Sequence, residues 1–236
     1  MLKKTRGIVL NHIKFKESSI IARIFTRELG VQSYIVNSVR GSGKRFKTKI
    51  AFFQPLTLLD LVVYYRKPVE GSADSLRRIS ELKCSEPYES IPNDIFKSGI
   101  ALFLSELLNK VIQEEETNRE LYDFISKALL ILDHTPKGYA SFHLIFMIQL
   151  SRYLGFQPTD AREMYSQLEG WLKSADHLQE RINMVDQFMA AGFRGMQGNN
   201  PEIRRSVLED VLTFYRLHVE SIGELKSMSV LRAVMH

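Results

Sequence analysis

The spacing of apolar residues changes its period once along this chain, near residue 83, and that change restricts the folds available. Up to that point apolar positions recur in short runs of strand-like composition: "RGIVLNHIKF", "SSIIARIFTR", "VQSYIVNSV", "LTLLDLVVYY" and "SLRRISELK". In the second run Ile20, Ala22 and Ile24 fall on one face, while Ile21, Arg23 and Phe25 fall on the other. Glu28–Gly30 reads as a turn with glycine supplying a positive φ. Five short strands with no long helix between the first three predict a small antiparallel barrel or sandwich. A closed barrel of this size is typical of the OB-fold.

Beyond "CSEPYESIPND" the period is helical. Ile95, Ile100, Phe103, Leu104, Leu107, Leu108 and Val111 predict a first helix, with Asn93 or Asp94 as its N-cap. A second carries Leu121 to Leu132 and ends before Pro136. A third runs from about Tyr139 to Leu154, with Gly155 as C-cap. Others are expected at 178–189 and from Pro201, capped by Asn200. The expected class is therefore α+β: an N-terminal five-stranded antiparallel OB-fold barrel over residues 1–83, then an all-helical domain over 84–236.

Charge divides at the same place. Residues 1–83 hold 17 Lys and Arg against 6 Asp and Glu, a balance of +11; residues 84–236 hold 15 against 21, or −6. A segregated positive charge on a small β domain suggests that it meets a polyanion. The densest part is "SVRGSGKRFKTK" (38–49), where Arg40, Lys44, Arg45, Lys47 and Lys49 stand together with no acid. Such a loop can follow an irregular phosphate backbone, and Phe46, Phe52 and Phe53 beside it offer stacking faces, although one of the adjacent pair should be core.

Enzyme chemistry finds little footing. "GSGKR" lacks the glycine five residues before Gly43, where Ser38 stands, and Arg45 replaces the Ser or Thr of a phosphate loop. The six histidines are dispersed, and His143 reads as a packed, hydrogen-bonded residue of the third helix. The single cysteine, Cys84, supports neither a disulfide framework nor a structural zinc site, and it fits a reducing compartment. The start has no apolar core of signal-peptide length, and "ASFHLIFMIQLSRYLGF" is too short and too polar to span a bilayer. A soluble, cytoplasmic protein without metal or cofactor is expected.

The stretch "GIVLNHIKFKESSIIARIFTRELG" resembles the start of the bacterial RecO family, through Val9, Leu10, Glu17, Ser18, Phe25, Thr26, Glu28 and Gly30. Arg40, Lys44, Arg45, Gln54 and Pro55 occupy the places of that family's basic turn and following "Q-P". "ALFLSELLNKVIQEEE", "FHLIFMIQLSRYLGFQP" and "LKSMSVLRAV" are similar to its later helices. Many members carry a four-cysteine zinc site where this chain reads "TDAREMYSQLEGW", so the resemblance is to the members without zinc. It implies a non-enzymatic recombination mediator that binds single- and double-stranded DNA and anneals complementary strands. It also implies action with RecR in loading RecA onto strands coated with single-strand-binding protein. For the acidic tail of that coating protein, Arg152 with Tyr153 and Phe156 at the end of the third helix are the expected contacts. Two other readings stay open: an OB-fold RNA-binding protein of translation or RNA processing, and a nucleic-acid-processing enzyme with unrecognised catalytic residues.

Overall fold

The computed structural model describes residues 1–37, 39, 50–65, 76–112, 116–172, 175–196 and 200–234. Five strands, β1 (Leu2–Phe15), β2 (Ser19–Thr26), β3 (Gly30–Val36), β4 (Leu58–Tyr64) and β5 (Arg77–Cys84), close a barrel in the order β1-β2-β3-β5-β4. Four pairings are antiparallel. The fifth, β3 with β5, is parallel, with Tyr34 opposite Arg77 and Ile35 opposite Arg78. This is barrel closure rather than a sandwich, although β3 and β5 meet at only those two positions.

Alternation builds the interior. Ile20, Ala22 and Ile24 of β2 are fully buried with Val9, Tyr34, Phe53, Leu59, Leu61 and Val63. Gly30 takes φ 66° at the turn into β3, as a glycine readily does. The outward residues of β2 are used as well. Phe25 is buried against Tyr122 with ring centroids 5.9 Å apart.

Seven α-helices follow among the described residues: α1 (Ile95–Val111), α2 (Arg119–His134), α3 (Phe142–Tyr153), α4 (Ala161–Gln167), α5 (Leu178–Ala191), α6 (Pro201–His218) and α7 (Met228–Val234). Their caps follow from sequence. Asp94 Oδ1 accepts from the Phe96 and Lys97 amides, and Asn200 Oδ1 from the Glu202 amide ahead of Pro201. The α3 C-cap is Leu154, and Gly155, one residue further, takes φ 83°. The helix α4, absent from the sequence reading, is capped by Asp160.

The chain forms two compact units: residues 1–89 with 105–129, and residues 90–104 with 130–236. In the first, Ser105 Oγ donates to the Leu10 carbonyl, and Arg23 donates to Asn109 Oδ1 (2.8 Å) and to the Ile112 carbonyl (2.7 Å), the latter an orphan acceptor at the end of α1. In the second, α3 is buried on nearly all sides, and Tyr215 of α6 donates to the Met147 carbonyl at 2.7 Å. Lys97, 2% exposed, donates to Ser90 Oγ and to the Asp133 carbonyl. His143 is packed as expected but not hydrogen-bonded as expected: its Nδ1 is buried without a partner. Among the described residues no helix is long and apolar enough to cross a membrane.

Candidate nucleic-acid interface

The basic-loop residues Arg40, Lys44, Arg45, Lys47 and Lys49 lie outside the described residues, as does Phe46. The residues on either side of the loop are firmly placed. Val39, 1% exposed, enters the barrel core, and its amide donates to the Ser18 carbonyl at 2.9 Å. On the far side Phe53 is fully buried in that core while Phe52 is half-buried against it, so Phe53 is the core member of the pair. His12 Nδ1 lies 2.8 Å from the Phe53 carbonyl, and the Leu56 amide donates to the Val9 carbonyl at 2.7 Å. Val39 on one side and Phe53 on the other are therefore both anchored in the barrel core.

The remaining cations of the barrel unit divide by partner. Arg27 holds Asp123 with both carboxylate oxygens engaged, at 2.8 and 2.9 Å, and Arg6 stands 4.0 Å from the same group. That hydrogen bonding holds the Asp123 carboxyl below the usual carboxylate range. Arg23 is half-buried at the end of α1, and burial pushes its pKa down. These cations are spent on structure. Lys3, Lys4, Lys14, Arg77 and Arg78 have no ion pair among the described residues. A cleft of about 640 Å³ on the β1–β4–β5 wall takes Lys4, Arg6 and Lys83 but also Glu28, Asp60 and Glu81. Its balanced charge makes it a poor seat for a phosphate backbone.

In the second unit Arg152 is exposed at the end of α3, with Tyr153 and Phe156 half-buried nearby in the chain. Phe156 stacks on His218 at 4.8 Å and meets Phe214 and Tyr215 edge-on at 5.7 and 5.0 Å. His218 Nε2 lies 2.9 Å from Gln167 Oε1. The structure thus joins Phe156 to His218 and Phe214, which sequence reasoning missed. Their separation of about sixty residues leaves no local pattern to read. Cys84 is half-buried and its thiol is pushed up by burial, and no group of three metal-ligating side chains occurs among the described residues.

A closed five-stranded barrel with unpaired cations, followed by helices, defines an OB-fold protein with a helical extension. Two family models match, the N-terminal part of recombination protein O over residues 1–88 and its C-terminal part over residues 92–164. The DNA repair protein RecO of Flavobacterium johnsoniae is 34% identical, with 98% of each chain covered. That of Bacteroides fragilis is 35% identical at the same coverage, and that of Porphyromonas gingivalis 26%. The chain belongs to the RecO family of DNA repair proteins, and a role in DNA repair and recombination follows from that membership.

Proposed function

We propose that this protein is a non-enzymatic recombination mediator. It binds single- and double-stranded DNA through the basic loop of the barrel and anneals complementary strands. With RecR it helps RecA load onto strands coated with single-strand-binding protein, acting in the cytoplasm at the nucleoid. The observation that carries this reading is the charge segregation: a balance of +11 sits in the first 83 residues of a chain whose remainder is −6. Annealing needs contacts that hold phosphates and leave base edges free to pair, and lysine and arginine side chains meet that need. Arg152 with Tyr153 and Phe156 offers a cation and an aromatic surface for the acidic, apolar-ended tail of single-strand-binding protein.

One annealing experiment tests both surfaces, using complementary oligonucleotides bare or coated with single-strand-binding protein. Replacing Lys44, Arg45, Lys47 and Lys49 by Ala should slow annealing on both substrates and flatten the salt dependence of binding. Arg152→Glu, with folding checked by circular dichroism, should slow only the coated reaction. A loop variant that anneals like the parent at moderate salt rejects the loop. An Arg152→Glu protein with unchanged coated annealing moves the tail site elsewhere. Equal annealing of RNA strands, with no response to RecR, would favour the RNA-binding alternative.

A further inference from the structure

One end of the barrel carries donors and charge that find no partner among the described residues. Tyr34 of β3 is fully buried, yet its hydroxyl has no hydrogen-bond partner. Directly opposite it in the β3–β5 pairing stands Arg77, whose Nη1 is buried and equally unpartnered. Buried polar groups are nearly always satisfied, and leaving one unmatched costs about 1–3 kcal/mol. Two such groups on neighbouring residues, both able to donate, point to an acceptor that no described residue supplies.

The surroundings say what kind of acceptor. Arg77 lies 5.4 Å from the centre of the Tyr65 ring, and Lys3 Nζ approaches the same ring at 4.9 Å. Neither cation has an acidic partner among the described residues, and neighbouring Arg78 is exposed and equally unpaired. An aromatic ring holds cations in place without neutralising them, so the field at this end of the barrel stays positive. Lys3, Tyr65 and Arg77 are each half-buried, so the group reaches the surface. β3 leads towards the basic loop and β5 begins the return from the β4–β5 connection, the side on which OB barrels receive oligonucleotides.

We infer that Lys3, Tyr34 and Arg77, braced on Tyr65, form a phosphate-binding site for the backbone of a single DNA strand, separate from the basic loop. The assignment rests on the reading of the barrel as DNA-binding. The guanidinium and the phenol hydroxyl donate to phosphate oxygens, and Lys3 adds charge without direction. The site anchors one phosphodiester at a fixed point while the loop follows the rest of the strand.

Tyr34→Phe separates this from a structural role. Removing an unpartnered buried hydroxyl should leave the melting temperature unchanged or raise it, because the ring still fills the core. Affinity for a labelled oligothymidylate should nonetheless fall about tenfold to a hundredfold, the loss of one hydrogen bond to a charged group. Arg77→Gln should make the plot of log affinity against log salt shallower by about one. If the parent binds the oligonucleotide with a steep salt slope and both variants match it, the site is rejected while the DNA-binding reading stands. A parent that binds no single strand overturns both. Thermal stabilisation of the parent by inorganic phosphate, with oligonucleotide affinity unchanged in the variants, would mark a free-phosphate site and also reject the assignment.

Discussion

His143 occupies the second position of α3, 2% exposed, with the Phe103 ring edge-on at 6.1 Å. Burial, aided by the positive charge of Arg204, drives its pKa down to about 3, so the folded protein holds it neutral. In the unfolded chain it titrates near the usual value of about 6.5. A group whose folded pKa is depressed contributes stability that is complete above the unfolded value. That stability is lost as pH falls towards the folded one. Between about pH 6.5 and 3 this residue alone therefore removes about 1.4 kcal/mol per pH unit. His143→Phe, which keeps an apolar ring of similar size, should lose less stability from pH 7 to pH 4.5 than the parent. Urea unfolding at the two pH values measures this, and equal losses would reject it. Burial here was legible from the apolar run Phe142–Leu150. The missing partner was not, because satisfaction of Nδ1 depends on atoms that other helices bring near, and those have no trace in local sequence.

Elements were legible where their periodicity or capping was strong. The faces of β2 followed directly from alternation, and Asn200–Pro201 announced α6. The α4 helix was missed because seven residues hold too little periodicity. Yet Asp160 accepts from the Glu163 amide at 2.8 Å while Glu163 reaches back to the Thr159 amide at 2.6 Å, a reciprocal cap that "TDARE" spells out. In β1 the reading began at Arg6, whereas pairing starts with Leu2 opposite Tyr64, because the lysines at 3 and 4 mask the alternation. Within that strand Gly7 is a packing requirement. A Cβ there would stand 2.6 Å from Ile24 Cγ2 and 2.9 Å from Leu61 Cδ1, both core side chains. Gly7→Ala should cost about 1–3 kcal/mol through overpacking. A urea midpoint equal to that of the parent would show that the barrel yields at no cost.

At the scale of the molecule, the basic and acidic parts could be read from counts, but the grouping of residues 105–129 with the barrel could not. It depends on β2 and the turn after it presenting outward-facing residues that are not solvent residues. Phe25 closes on Tyr122, Arg23 on the end of α1, and Arg27 on Asp123. A fragment of residues 1–88 keeps all five strands but loses every one of those partners. Phe25 alone, 1% exposed in the full chain, would return its ring to water at a cost of about 1.5–3 kcal/mol. A barrel of under ninety residues has little stability to spare. The fragment should therefore retain strand circular dichroism but melt broadly, at lower temperature than the full chain, and bind a hydrophobic dye. Phe25→Thr in the fragment should reduce that dye binding, since threonine suits an exposed strand position. The same change in the full chain should destabilise, because there the ring is buried. A sharp melt of the fragment without dye binding would mean that the barrel stands without residues 105–129, and that Tyr122 and Asp123 add nothing it needs.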